Sequence, residues 1–366
     1  MDRVIGHIDF DYFYAQVEEV EDPSIKDRPV IVCVFSGRTD DSGVVSTANY
    51  KARDFGVHSG MPIILAKKKL DGRDPVIIKM DHEKYEIVSE RIMEALGHMV
   101  DALEPAGIDE AFFDLTMSSG GDYLKAQETV ERIKQSILDS EHLTCSVGLA
   151  RSKVVAKLAS DMAKPGGLKA VLPEDTETLL GPLPVSKLYG VGPKTFSTLQ
   201  ELGIVTVGDL AGADPTQLEA SFGRNLGAYL LAAATGMDSD PVKSRLEPNQ
   251  FSRIVTLKRN TRDPNEILGQ LAGSLRYVSD KASSSSKSFR TVTAIGILTD
   301  LSIKTRSKTF ETPVNDLTMI NDAAFALFDD LSKTVGKDFR RAGVRVSGLT
   351  DTEDQTSLSD FIRSKR

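Results

Sequence analysis

The sequence predicts a multidomain α+β protein. Its 366 residues exceed the roughly 150 that one domain usually holds. Strand and helix patterns alternate through residue 150, and a second stretch, 251–347, has its own strand–helix–strand–strand–helix–strand order. Between them, residues 174–236 read as short helices punctuated by Gly and Pro.

In chain order, Arg3 to Phe10 reads as a strand and Tyr14 to Val20 as a helix that stops before Pro23. Val30 to Phe35 is too apolar for a surface strand. A polar loop, Ser36 to Gly43, leads to a short helix over Thr47–Arg53 that Thr47 is placed to cap. The pattern then gives helix 82–97, strands 102–107 and 111–115 around a tight Gly107-Ile108-Asp109-Glu110 turn, helix 123–139 and strand 143–149. Helices Lys194–Leu202 and Leu226–Thr235 follow Gly190-Val191-Gly192-Pro193 and Phe222-Gly223-Arg224-Asn225. These are two helix-hairpin-helix candidates, in which Gly190 and Gly192 let backbone N–H groups approach a phosphate; a plain packing turn is the alternative. Residues 237–250 read as a linker. Strands 251–258, 289–298, 302–310 and 340–347 with helices 264–280 and 316–333 make the final module, and 348–366 is a polar, flexible tail.

Composition narrows the function. With 40% hydrophobic and 27% charged residues the chain is ordinary globular material. No apolar run reaches a bilayer's length and the first residues lack signal-peptide character, so a cytoplasmic protein with no membrane partner is expected. Cys33 and Cys145 are the only cysteines, which excludes a disulfide framework and a four-cysteine zinc site. The net charge of -8 is unevenly spread: residues 1–242 carry -14, residues 243–347 carry +7 and residues 348–366 carry -1. A basic module on an acidic body is the asymmetry of a domain that grips a polyanion.

The chemistry centres on acids. Asp9 ends one strand, and Asp109 and Glu110 occupy the turn between two others. If those strands are neighbours, three carboxylates converge, and such a cluster persists best around hard cations, with Mg²⁺ favoured where phosphates are bound. Spacing alone leaves exposed turn acids as the alternative. Tyr12, Phe13 and Tyr14 follow at a helix start, where N–H groups meet anions and a ring lies against a sugar. Tyr50 and Arg53 share a helix face, and Lys164 sits where a helix breaks, both fair places for phosphate contacts.

Taken in order, the strings Asp9 to Tyr14, Ser46 to Arg53, Gly107 to Asp114, Ser146-Val147-Gly148 and Asp161 to Pro165 resemble the Y-family translesion DNA polymerases, specifically the archaeal DinB (DNA polymerase IV) branch. The resemblance implies a right-hand polymerase: a ferredoxin-like palm (1–18 and 80–173), small fingers (19–79), a thumb (174–236) with the helix-hairpin-helix pieces, a linker (237–250) and a little finger (251–347). It implies low-fidelity, template-directed addition of dNTPs to a primer 3′ end, without proofreading, in DNA damage bypass. Two Mg²⁺ ions per site are implied, with Asp9, Asp109, Glu110 and the Phe10 carbonyl as ligands and the three acids as catalytic carboxylates. Tyr14 matches the steric gate that excludes a ribose 2′-hydroxyl. Tyr12, Phe13, Tyr50, Arg53 and Lys164 match nucleotide contacts. Gly107 departs from the Ser common before Ile-Asp-Glu.

Primer-template DNA is the implied partner. Arg253, Lys258, Arg259, Arg262, Arg290, Arg306, Lys308, Arg340, Arg341 and Arg345 are candidate phosphate contacts of the little finger, beside Gly190 and Gly192 of the thumb. In the tail, Gln355, Leu358, Phe361 and Ile362 are similar to the peptide by which polymerases dock on a sliding clamp, with Ile362 in place of a second aromatic. A monomer is expected. A catalytically idle DNA-binding relative and a nucleotide cyclase are the alternative readings; the intact acids count against the first and the basic module against the second.

Overall fold

The computed structural model describes residues 1–243 and 248–352. They divide into two compact units, one of residues 1–33, 45–61 and 65–243 and one of residues 34–44, 62–64 and 248–352. Along the first part of the chain run strands β1 (Ile5–Phe10), β2 (Val30–Phe35), β3 (Gly43–Ala48), β4 (Val76–Lys79), β5 (Ala102–Pro105), β6 (Glu110–Asp114), β7 (Cys145–Ala150) and β8 (Leu168–Ala170).

The main sheet has the order β5-β6-β1-β7-β8, with β1 antiparallel to both neighbours. Both faces of the central β1 are covered: Val4, Ile8 and Phe10 on one are buried with Phe13, Tyr85, Val130 and Ile133, from helices Phe13–Glu21, His82–Gly97 and Tyr123–Glu141, and Ile5 on the other with Val155 and Ala159 of helix Lys153–Ala163. Each such side chain contributes about 1.5–3 kcal/mol on burial. Helix Lys153–Ala163 packs closely against β7. A Cβ at Gly148 would stand 2.1 Å from the Ala156 carbonyl oxygen, so only glycine admits the helix there. On its other side this helix joins a cluster with Leu180, Val185, Leu199, Leu218 and Leu230 from the segment of short helices. That segment includes helices Pro193–Glu201 and Arg224–Ala234, the two expected from the glycine-rich turns.

The structure departs from expectation between residues 43 and 80. Gly43–Ala48 forms strand β3, which takes in Thr47 and Ala48, expected at the helix start, as the β-branched residues favour. The helix begins at Tyr50, and its cap is Asn49, whose side chain accepts from the Ala52 N–H at 2.9 Å. Helix Ile63–Lys69 and the parallel β4 were too short to declare themselves by period.

The second unit contains β9 (Gln250–Thr261), β10 (Lys287–Leu298), β11 (Ile303–Val314) and β12 (Phe339–Asp351), in the order β11-β10-β12-β9. Helices Pro264–Ser284 and Leu317–Thr334 cover one face, over Leu271, Phe289, Phe328, Phe339 and Val344. The β-α-β-β-α-β order is as expected. β12 runs through Gly348 to Asp351, in register with Lys287, so the start placed for the polar tail at 348 is too early: main-chain pairing carries the strand past the last apolar alternation. No helix among the described residues is long and apolar enough to cross a membrane.

Candidate active site

Backbone pairing brings the three acids together. Asp9 lies opposite Glu110 in the β1–β6 register, and the Phe10 N–H donates to the Asp109 carbonyl at 2.9 Å. The turn before Glu110 is closed by the N–H groups of Ala106 and Gly107, both donating to the Glu110 carbonyl; a Cβ at Gly107 would lie 3.2 Å from Glu110 Cγ. Asp9 and Asp109 line one cleft of about 340 Å³, together with Tyr12, Phe13, Tyr14, Tyr50, Arg53 and Lys164. Every residue expected at the nucleotide therefore shares that cleft with two of the acids. A larger groove of 550 Å³ between the short helices of residues 211–235 is walled mainly by Ala, Leu and Pro, with Glu219 and Arg224 at its side, and holds no cluster of acids.

Glu110 turns elsewhere. Its carboxylate pairs with Lys157 and lies 3.4 Å from His7 Nε2, while His7 Nδ1 meets Ser160 Oγ at 2.7 Å. Lys164 Nζ pairs with Asp9 at 2.7 Å and with Asp161 at 3.1 Å. Two ammonium groups thus neutralise two of the carboxylates. Among the described residues no three ligating side chains close on one point.

The electrostatics follow from these partners. Burial pushes Asp9 above the usual carboxylate range and outweighs the Lys164 hydrogen bond. Burial, then the Glu110 charge, pushes Asp109 up. Glu110 goes the other way, to about 2, through the His7 hydrogen bond and the Lys157 pair against burial. Burial holds the His7 imidazole below its ordinary value. Tyr14 rises to about 12, from burial and then the Asp109 charge, which keeps its hydroxyl protonated beside the acids.

The rings are held by the residues around them. Tyr12 sits in the left-handed region (φ 36°), donates to Glu19 at 3.2 Å and meets Tyr50 edge-on at 5.1 Å between centroids. Arg53 lies over the Tyr50 ring at 5.0 Å, fixed by its bond to the Ala48 carbonyl at 2.8 Å. Asp11 is buried and accepts from Thr144 Oγ1, Ser146 Oγ, Gly166 N–H and Tyr50 OH, so it ties the segment after Lys164 to the cleft.

Sequence reasoning passed over Asp11, His7 and Lys157. The signals were present: His7 is two residues before Asp9 and so on the same strand face, and Lys153, Lys157 and Asp161 recur at a helix's four-residue spacing.

Comparison with known proteins decides the family. The impB/mucB/samB family matches residues 8–161, its C-terminal domain residues 248–359, and the IMS family HHH motif residues 173–204. The DNA polymerase IV of Methanosarcina acetivorans is 42% identical over 99% of this chain and 100% of its own. A Y-family DNA polymerase chimera superposes with a TM-score of 0.89 at 35% identity, covering 95% of this chain and 99% of that one. An insertion ternary complex of Dbh DNA polymerase gives 0.68 at 35% identity with the same coverage. This chain belongs to the Y-family of DNA polymerases. It is a DNA-directed DNA polymerase of the translesion class, with the right-hand architecture of that family. Y-family polymerases depend on divalent metal, and the oxygen-only donors facing this cleft suit a hard cation.

The polymerase's candidate DNA contacts fall into groups. Gly190 (φ 84°) leaves room for the Tyr229 ring, and Gly192 caps helix Pro193–Glu201. In the second unit Arg259, Arg262 and Arg306 pair with Glu266, Asp338 and Asp330. Arg253 lies over Tyr277 of helix Pro264–Ser284, and Lys308 over Phe310, so both are on the helix side of the sheet. Arg341 and Arg345 stand in register with Ile297 and Thr293, on the opposite face, where Thr293 and Thr291 bond to Ser307 and Thr309. Lys258, Arg290 and Arg340 are exposed. Gln355, Leu358, Phe361 and Ile362 lie outside the described residues.

Proposed function

We propose that this cleft binds a deoxynucleoside triphosphate with two Mg²⁺ ions and joins it to the 3′ end of a primer paired to template DNA. The observation that carries the reading is the single cleft that gathers Asp9, Asp109, Tyr14, Tyr50, Arg53 and Lys164. The ions would be held by Asp9, Asp109 and the Phe10 carbonyl, joined by Glu110 if its carboxylate leaves Lys157 and His7; they would supply activation of the primer hydroxyl and neutralisation of the leaving pyrophosphate. The residue set fits them: its donors are all oxygen, burial leaves Asp109 short of compensation, and the Lys164 ammonium on Asp9 marks where positive charge is favoured. Lys164, Arg53 and Tyr50 bind the triphosphate, and Lys164 exchanges Asp9 for phosphate oxygens when the nucleotide arrives. Tyr12 and Phe13 shape the nucleotide end of the cleft, and the Tyr14 ring takes the space of a 2′-hydroxyl.

On this reading residues 1–18 and 80–173 are the palm, 19–79 the fingers and 174–236 the thumb, and the little finger runs from about 250 to Asp351, past the end at 347 that the sequence suggested. The thumb's Gly190–Gly192 turn and the little finger's Arg341 and Arg345 hold duplex backbone, without sequence readout. The enzyme works as a monomer without proofreading, and its C-terminal peptide docks on a sliding clamp. Primer extension with single dNTPs tests the core of this. Mg²⁺-dependent addition by the wild type, lost in Asp9→Ala and Asp109→Ala while primer-template binding survives, is the expected result. Equal extension by either variant refutes the site.

A further inference from the structure

We propose that Tyr85 is a positioning residue for sugar discrimination: its ring is the fixed floor on which the Tyr14 ring rests. The inference depends on the reading of Tyr14 as the group facing the sugar.

Tyr14 leaves the first turn of helix Phe13–Glu21 and is only half-buried, with the cleft on one side. On its other side lies Tyr85, from helix His82–Gly97, fully buried and stacked at 4.5 Å between centroids with 29° between planes. Tyr85 is itself anchored at its far end. Its hydroxyl donates to Glu18, a buried carboxylate one turn along from Tyr14 on the same helix, and Lys84 pairs with that carboxylate at 2.6 Å. The Lys84 ammonium also lies 5.3 Å from the Tyr85 ring centroid and 3.0 Å from Glu21. Phe13 closes the third side, 5.7 Å from Tyr14 and 6.5 Å from Tyr85.

A gate that works by excluded volume fails if it yields. A single hydroxyl needs little room, and a ring able to sink or tilt by about an ångström provides it, because repulsion falls away over that distance. The Tyr85 ring prevents sinking, and the Glu18 and Lys84 anchor prevents Tyr85 from turning aside. Tyr85, Glu18 and Lys84 do not line the cleft, so their effect is confined to how firmly Tyr14 is held. Discrimination against a ribonucleotide then depends on a pair of rings from two helices.

The test compares incorporation efficiency for a dNTP and the matching rNTP in single turnovers, with melting temperatures measured alongside. Tyr85→Leu and Tyr85→Met remove the stacked ring, and each is expected to lower the dNTP/rNTP preference by about 3- to 10-fold, the weight of one aromatic pair. Tyr85→Phe keeps the ring and is expected to restore most of the preference. Loss of folding alone slows both nucleotides and leaves the ratio in place. Tyr14→Ala is the control. If it relaxes the preference while Tyr85→Leu and Tyr85→Met leave the ratio at the wild-type value, the positioning role is overturned. If Tyr14→Ala leaves the ratio unchanged, the reading of Tyr14 falls and takes this inference with it.

Discussion

Asp11 is the sharpest place to perturb the site without touching an expected metal ligand. Its carboxylate is 1% exposed and accepts four hydrogen bonds: Ser146 Oγ at 2.8 Å, Thr144 Oγ1 at 2.9 Å, the Gly166 N–H at 2.9 Å and Tyr50 OH at 3.3 Å. Bonds to a buried charge contribute about 1.5–3 kcal/mol each, but two of these donors keep a second acceptor. Gly166 N–H also reaches Ser146 Oγ at 2.9 Å, and Thr144 Oγ1 reaches Gln16 at 3.0 Å. Allowing for that, Asp11→Ala should cost about 3–5 kcal/mol, and Asp11→Asn, which keeps the volume but turns an NH₂ toward donors, about 2–3 kcal/mol. At about 2–4 °C per kcal/mol for a unit of this size, the alanine variant should melt about 6–20 °C lower by calorimetry. Because Gly166 follows Lys164 and Pro165, loosening that segment should also raise the dNTP KM by about tenfold, the equivalent of one lost charged contact. A variant melting within about 2 °C of wild type with an unchanged KM would refute the view that Asp11 holds the lysine in place.

Other consequences can be checked as directly. Asp109 is pushed up by burial, so its folded form favours the proton; its contribution to stability is present below the ordinary aspartate range and is lost as pH rises through its raised folded value. In chelator, Asp109→Asn should therefore melt close to wild type near pH 4 and above it at pH 7, and Mg²⁺ should raise only the wild type; a mutant that is less stable at pH 7 contradicts this. Glu110 has the opposite sign: its value of about 2 gives stability that is fully present above the ordinary glutamate range and lost as pH falls toward that value, so Lys157→Met should melt below wild type at pH 7, with the gap narrowing in melts below about pH 4.5; a gap that widens in acid contradicts this. Arg341→Ala and Arg345→Ala should each reduce the slope of log affinity against log salt by about 0.9 in primer-template titrations, whereas Arg306→Ala, already paired with Asp330, should change it less. Deleting residues 353–366 should leave basal synthesis intact and abolish clamp stimulation; equal stimulation of the truncated enzyme would show the tail idle.

Much of the site was legible because its parts are local. Asp9 and Tyr14 are five residues apart in one strand-to-helix turn, and Asp109 and Glu110 share another turn. The alternation of β1 and the apolar run of β7 identify buried strands without knowledge of their neighbours. What escaped depends on contacts between distant segments. Lys157 meets Glu110 only because Gly148 lets a helix lie against β7, and the Asp11 network joins residues 133 and 155 positions apart. β3 escaped for a different reason: Thr47 and Asn49 both have the chemistry of a helix cap, and strand pairing decides between them. In the little finger, charge alone marked ten basic residues, but strand register separates them, placing Arg341 and Arg345 on the face away from the helices and Arg253 and Lys308 on the helix side.

The distribution of compensation among the three acids carries a further consequence. Asp9 has an ammonium at 2.7 Å and Glu110 is held by Lys157 and His7, but among the described residues Asp109 has no ion pair within 4 Å. A site whose acids were all paired internally would be more stable and would resist incoming cations, because each cation would have to displace an ammonium. One whose acids were all unpaired would carry three mutually repelling buried charges. Pairing two and leaving one keeps the strands together while Asp109, pushed up by burial and by Glu110, retains a standing preference for added positive charge. Of the two lysines, only Lys164 lines the cleft, so on the proposed reading it is the one that exchanges its acid for a triphosphate. On the proposed reading, arrival of the nucleotide frees Asp9 beside an Asp109 that no ammonium among the described residues pairs with, which makes the order of events a property of which lysine faces the cleft.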